Sequence, residues 1–171
     1  MPETLYIIDA FAQIFRAFYA IRGGMNSPVT SEPTQATFGV AGMLIKLFKD
    51  FKPHYVIVAS DAPGPTFRDE LYADYKATRN PTPDDLISQI PRIFEMFEYF
   101  GIPNIKRSGL EADDVIASVV ERVLRDYPDV EIRIVSKDKD LEQLLGPRVK
   151  MFDIHTDTLI DTDMLFANKG I

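Results

Sequence analysis

The chain has 171 residues, 46% of them hydrophobic and 26% charged, with a net charge of −7; this suits one globular domain whose core is large enough to need no staples. There is no cysteine, and His54 and His155 are the only histidines, which excludes disulfides, thiolate sites and a histidine-rich zinc site, so any metal must be held mainly by oxygen. No stretch approaches the ~20 apolar residues of a membrane span and no basic-then-apolar leader opens the sequence, so a soluble cytoplasmic protein with no membrane partner is expected.

The first apolar run, Leu5-Tyr6-Ile7-Ile8, reads as a buried strand and runs into Asp9. Residues 10–20 have a helical pattern, and residues 21–33, with Gly23, Gly24, Asn26, Ser27, Pro28 and Pro33, form a loop. A helix is predicted from Thr34 to Phe51 with Phe38, Leu44, Ile45, Leu47 and Phe48 as its apolar face. The second strand, Val56-Ile57-Val58-Ala59, leads through Ser60 into Asp61. Residues 61–83 carry no clear periodicity, and a connection of that length is usually functional. Thr82-Pro83-Asp84-Asp85 has the cap, proline and first-turn acids of a helix start, and that helix is expected to reach Phe100 with a kink at Pro91. After a short strand at Asn104–Lys106, a helix from Glu111 to Arg125 carries the stripe Val115, Ile116, Val119, Val120, Val123 and Leu124, with Glu111, Asp113 and Asp114 at its mouth. The strand Glu131–Val135 leads to Asp138 and Asp140, and a strand from Arg148 to Asp153 and a weak terminal segment complete the chain. Strands alternating with helices predict an α/β fold with a mainly parallel central sheet flanked by helices.

Seven carboxylates, Asp9, Asp61, Glu111, Asp113, Asp114, Asp138 and Asp140, thus fall at strand ends or at a helix mouth. In open α/β sheets chemistry gathers at the carboxyl ends of parallel strands, and carboxylates that converge there repel one another unless a cation lies among them. The set points to hard divalent ions, Mg²⁺ or Mn²⁺. Two ions about 4 Å apart can activate water and stabilise the leaving oxygen of a phosphoryl displacement. Taken singly, each acid is equally well a helix cap or a dipole partner; the joint placement favours the metal site. Setting the seven aside leaves as many acids as there are Lys and Arg together, so the acidity does not preclude a nucleic-acid partner.

Residues 67–80 interleave aromatics with cations. If helical, Tyr72, Tyr75, Lys76 and Arg79 share a face, and Arg68 precedes them. Aromatics stack on bases, and Lys and Arg hold phosphates. In Ser136-Lys137-Asp138-Lys139-Asp140 an extended backbone would put both acids on one side, and the lysines either screen them or meet phosphate. Arg16 and Arg22 are candidate phosphate contacts near the first strand end.

These motifs in this order resemble the 5′-nuclease family: the N-terminal 5′→3′ exonuclease domain of bacterial DNA polymerase I, its stand-alone and phage relatives, and the flap endonucleases. The resemblance is carried by Asp9, by Asp61-Ala62 with Thr66-Phe67-Arg68-Asp69-Glu70, and by Tyr75-Lys76 with Arg79 and Pro83-Asp84-Asp85. Glu111-Ala112-Asp113-Asp114-Val115-Ile116 and Asp138-Lys139-Asp140-Leu141 complete it. It implies a PIN-like domain that hydrolyses DNA near a 5′ end or 5′ flap, with an RNA–DNA hybrid as a further substrate and a polymerase domain as a partner in the natural protein. By the same match, Asp9, Asp61, Glu111 and Asp113 resemble a first-metal group and Asp113, Asp138 and Asp140 a second, with Asp114 outside them. Tyr75, Lys76 and Arg79 match a substrate-contacting arch, where Arg16 matches a basic residue and Lys76 and Arg79 orient the scissile phosphate. Ala10 stands where the family often has Gly, and Lys137 where a small residue is common. Residues 1–171 are expected to be the catalytic subdomain without the family's last acidic motif and helical DNA-binding module. Two rival readings are a non-catalytic module that binds metal or nucleic acid and a PIN-type ribonuclease. A third, an aspartyl-phosphate phosphotransferase, is opposed by the lack of a second Asp two residues after Asp9.

Overall fold

The apolar runs that end in carboxylates have two hydrophobic faces, and a strand of that kind is stable only when covered on both sides. The computed structural model, which describes residues 2–21, 23–71 and 81–169, meets this demand. In chain order it comprises β1 (Glu3–Asp9), α1 (Ala10–Ala20), α2 (Gln35–Lys46) continued by a π-helical turn (Leu47–Phe51), β2 (Tyr55–Ala59), α3 (Phe67–Leu71), α4 (Asp84–Ile87), α5 (Ile90–Tyr99), β3 (Asn104–Ile105), α6 (Ala112–Asp126), β4 (Val130–Val135), a 3₁₀ helix (Lys139–Leu144), β5 (Val149–Asp153), β6 (Thr158–Ile160) and α7 (Thr162–Lys169). The strands form one sheet in the order β3-β2-β1-β4-β5-β6. All neighbours are parallel except β6, which returns antiparallel to β5.

The period-2 alternation of each strand divides the core. Tyr6, Ile8, Val58, Val135 and Phe152 face a layer built from α1, α2 and α5. Leu5, Ile7, Ala59, Ile132, Ile134, Val149 and Met151 face α6, where Val115, Ile116 and Val120 are buried. The register then aligns the strand ends. Asp9 lies opposite Ala59 of β2, Ile8 opposite Val135 of β4, and Ile134 opposite Met151 of β5. Asp61 and Ser136, just beyond β2 and β4, and Asp153, the last residue of β5, lie at one edge of the sheet. Among the described residues no helix is long and apolar enough to cross a membrane.

Three local expectations are corrected. The predicted helix from residue 83 to Phe100 is two helices, interrupted at Ser88 and Gln89, and Pro91 sits in the first turn of α5 rather than at a kink. A proline lacks the N–H that a first turn leaves unpaired anyway, so it starts a helix without loss. The break turns Gln89 inward, where its Oε1 accepts from the amides of Ala36 and Thr37 at 2.9 and 3.1 Å. Gln89 thereby caps α2, whose own Thr34 makes no side-chain cap. The buried face of α2 also differs: Ala36, Val40, Met43, Leu44 and Leu47 enter the core, while Phe38 and Ile45 are 61% and 56% exposed. At Gly39, between these residues, α1 approaches α2 closely through Ala17. Finally, Asp138 and Asp140 do not lie on an extended strand; Asp138 caps the 3₁₀ helix by accepting from the Asp140 amide.

A Cβ built at Gly39 would lie 2.8 Å from Cβ of Ala17, whereas one at Gly42, also within α2, meets nothing within 4 Å. Gly39→Ala should therefore destabilise the fold by about 1–3 kcal/mol through overpacking. Gly42→Ala should stabilise it by roughly 0.5–1 kcal/mol through helix propensity. Urea unfolding of the two variants checks both signs.

Candidate metal centre

Asp9 is the last residue of β1 and the N-cap of α1. Its Oδ1 accepts from the Ala12 amide at 3.3 Å and its Oδ2 from Ser136 Oγ at 2.9 Å. Ser136 is the first residue beyond β4, and its Oγ also accepts from the Asp138 amide at 3.1 Å. One buried hydroxyl thus links the ends of β1 and β4 to the turn carrying Asp138. On the other side of β1, Asp61 Oδ1 accepts from the Ala112 amide at 2.7 Å, tying the end of β2 to the mouth of α6. Glu111 caps α6 in a reciprocal box with Asp114, whose Oδ2 accepts from the Glu111 amide at 3.0 Å. A carboxylate at each strand end therefore has a local structural use. The same uses hold all of them at one edge.

The seven acids divide into two sets. Glu111 and Asp114 are engaged by Arg68, which donates to both oxygens of Asp114 at 2.7 and 2.8 Å and stands 3.5 Å from Glu111. No Lys or Arg among the described residues pairs with the other five, Asp9, Asp61, Asp113, Asp138 and Asp140. Their mutual field is visible at Asp113, whose carboxyl is pushed up to about 6 by burial and by the charges of Asp9, Asp138, Asp140 and Asp61. Asp9 is also raised, by burial first; its bonds from Ser136 and Ala12 oppose the shift, while Asp138 and Asp61 add to it. A cavity of about 420 Å³ opens beside this edge, lined by Arg68, Glu111, Asp113, Asp114, Lys139 and Asp140 among others.

Among the described residues no three acidic or histidine side chains close into a ready-made ligand cage. That absence still fits a small hard cation that retains several waters and takes few direct protein ligands. The donor set is all oxygen, the five acids have no Lys or Arg partner among the described residues, and a nearby dication would relieve the repulsion that adds to burial in raising Asp113. The residues present thus suit Mg²⁺ or Mn²⁺ chemistry.

Arg68, expected to face nucleic acid, is bonded to Asp114 and ties α3 to α6. Arg16 and Lys137, also expected to meet phosphate, converge on a carboxylate outside the expected set. Asp153 Oδ1 accepts from Arg16 Nη1 at 2.9 Å, and its Oδ2 from Lys137 Nζ at 2.6 Å. Burial alone would raise Asp153. The Lys137, Thr156 and Arg16 side chains and the His155 amide outweigh it and hold the carboxyl far below the usual range. Its sequence signal was the same as the others, an acid ending an apolar run, here Val149–Asp153. Ser136 carried no signal beyond its place after a strand. Tyr72, Tyr75, Lys76 and Arg79, and Arg22, lie outside the described residues.

The shift at Asp113 carries a stability consequence. Its folded value of about 6 exceeds the ordinary 3.8, so the folded state holds the proton more tightly. The stability this gives is complete below about pH 3.8 and is lost as pH rises through about 6. Without divalent metal, Asp113→Asn should be more stable than the parent at pH 8, on the order of 1 kcal/mol after solvent screening. The advantage should vanish near pH 4, and added Mg²⁺ should favour the parent. Thermal melts across pH check this.

The family described as 5′-3′ exonuclease, N-terminal resolvase-like domain, matches residues 4–170. A 5′-3′ exonuclease of Aquifex aeolicus is 36% identical over 99% of this chain and 57% of its own length. The DNA polymerase I of Deinococcus radiodurans is 41% identical over 88% of this chain and 15% of its own. The chain therefore spans little more than half, or much less, of these relatives. Among solved structures, T5 5′-exonuclease with bound zinc superposes with a TM-score of 0.70 at 21% identity, covering 99% of this chain and 62% of that one. The Rad2 catalytic core in complex with DNA gives 0.59 at 18%, covering 99% and 51%. These likenesses fix the fold as the PIN-like type, with its mainly parallel sheet between helices. The chain belongs to the 5′-3′ exonuclease family, and residues 4–170 are its N-terminal resolvase-like domain.

Proposed function

We propose that residues 1–171 form the catalytic subdomain of a metal-dependent 5′-nuclease that hydrolyses DNA phosphodiesters at a 5′ end or 5′-flap junction, with an RNA–DNA hybrid as a further substrate. The observation that carries this reading is the convergence of Asp9, Asp61, Asp113, Asp138 and Asp140 at one sheet edge, with no cation among the described residues to neutralise them. Relatives named 5′-3′ exonuclease and DNA polymerase I support it. The latter make a polymerase domain a natural partner, and the cytoplasm, where DNA is copied and repaired in bacteria, is the expected location.

Asp9, Asp61, Glu111 and Asp113 would hold one Mg²⁺ or Mn²⁺ ion, and Asp113, Asp138 and Asp140 a second, with Asp114 outside both. Bound there, such ions supply an activated water and charge neutralisation at the leaving oxygen of a phosphodiester. The chain's own groups prepare the site. Ser136 Oγ donates to Asp9 and fixes how that carboxylate is presented. Asp113 keeps a proton up to about pH 6, so ion binding below that pH must displace it. The Arg68–Asp114 pair anchors α3, the last described element before residues 72–80, to α6. On that segment Lys76 and Arg79 are proposed to orient the scissile phosphate and offset its developing charge, with Tyr72 and Tyr75 stacking on bases.

Cleavage of a 5′-flap DNA by this chain should require Mg²⁺ or Mn²⁺, and Asp9→Asn should lower kcat at least about 10²-fold, the loss typical of a central electrostatic group. Metal-independent cutting, or equal rates for parent and variant, would refute the assignment. Preference for single-stranded RNA over flapped DNA would favour a PIN-type ribonuclease. Binding without turnover would favour a non-catalytic module.

A further inference from the structure

Asp153 has more bonds than a strand-end carboxylate needs. It is 4% exposed and receives Arg16 through Nη1 at 2.9 Å and Nη2 at 3.5 Å, Lys137 at 2.6 Å, the His155 amide at 3.1 Å and Thr156 Oγ1 at 2.8 Å. Arg16 comes from α1, the helix that Asp9 caps. Lys137 stands between Ser136, which bonds Asp9, and Asp138. The cations therefore come from the two segments that present the acids, and a third element, the end of β5, gathers them.

Two properties separate this cluster from an ordinary ion pair. Two cations against one carboxylate leave one positive charge uncompensated, beside an edge that is otherwise acidic. The neighbouring His155, whose amide donates to Asp153, lies in the field of this cluster. Its imidazole is pushed below the usual value by burial first and then by Arg16, with Lys46 and Lys137 adding to the shift and Asp153 acting the other way. In addition, a guanidinium has about five N–H donors and an ammonium about three, yet only three of these reach Asp153. Among the described residues the rest have no protein partner, and the side chains of Arg16 and Lys137 remain 27% and 54% exposed. A guanidinium and an ammonium, oriented by a shared buried anion and with donors left over, are suited to one phosphate group.

We propose that Asp153 is a positioning residue that clasps Arg16 and Lys137 into a two-cation seat for a single phosphate of the nucleic-acid strand, next to the carboxylate edge. This rests on the nuclease reading above. Strand phosphates would be drawn to the seat while the acids repel them, so the seat decides which phosphate approaches the metal site.

The test is fluorescence anisotropy of a labelled 5′-flap DNA in EDTA over a series of KCl concentrations, for the 171-residue chain, Asp153→Asn, Lys137→Met and Lys137→Arg, with steady-state cleavage in Mg²⁺ alongside. A field effect alone predicts that Asp153→Asn, by deleting a negative charge, tightens DNA binding. The clasp predicts the opposite: binding about tenfold weaker, with the loss appearing in KM more than in kcat. Lys137→Met should reduce the salt slope by about 0.7–0.9, the value of one phosphate contact. Lys137→Arg should restore most of it, and the Asp153→Asn and Lys137→Met losses should be less than additive. Lys137 is half exposed, so its variants test the clasp even if Asp153→Asn unfolds. Tighter or unchanged binding by a folded Asp153→Asn, or an unchanged salt slope for Lys137→Met, would overturn the inference while leaving the nuclease reading intact. A parent chain that neither binds nor cuts the flap would overturn both.

Discussion

Repulsion among carboxylates held at one edge of a rigid parallel sheet is the constraint to which the other features of this chain answer. Parallel pairing with the observed register brings the ends of β1, β2 and β4 to one level. Each strand leaves the sheet through an acid or next to one. None of these groups can retreat: Asp9 is a helix cap bonded to Ser136, Asp61 is bonded to the Ala112 amide, and Asp138 caps its own 3₁₀ turn. Backbone amides and a hydroxyl thus stabilise each charge locally while the sheet forces the charges together. The carboxyl of Asp113, raised first by burial and then by the charges of Asp9, Asp138, Asp140 and Asp61, registers that conflict in part.

Positive charge is placed around this edge and not within it. Arg68 engages Glu111 and Asp114 at the mouth of α6, beside Asp113 but without pairing with it or with Asp9, Asp61, Asp138 or Asp140 among the described residues. Arg16 and Lys137 are drawn aside to Asp153. A lysine or arginine reaching Asp9 or Asp113 would reduce the repulsion and, with it, the attraction that the edge offers to a dication. The separation keeps the acidic edge available to a small cation and leaves the flanking cations partly exposed to an anion. The proposed ligands, a polyanionic strand and divalent ions, match these two regions in charge.

The strands, the two-faced core and the gathering of acids at one sheet edge were legible because their signals are local. An uninterrupted apolar run implies burial on both faces, and an acid at its end implies the sheet edge. The weaker points are all contacts between residues distant in sequence. The face of α2 depends on Gly39 admitting Ala17, and the break before α5 depends on Gln89 reaching the start of α2. The Arg68–Asp114 pair spans 46 residues and the Arg16–Asp153 pair 137, so a basic residue that composition assigns to nucleic acid acquires a protein partner only when the fold closes. Asp153 ended a strand as clearly as Asp9 did, but the motif that singled out the other acids did not include it.

Calorimetric titration of Mg²⁺ and Mn²⁺ into the chain at pH 6 and pH 8, in buffers of different ionisation heat, tests the central claim most directly. If the unpaired acids form the ion site, both ions bind. Binding at pH 6 then releases up to about half a proton, because Asp113 titrates near 6 and must ionise to serve as a ligand, while binding at pH 8 releases almost none. Absence of binding, or binding at pH 6 with no proton release, would contradict the account.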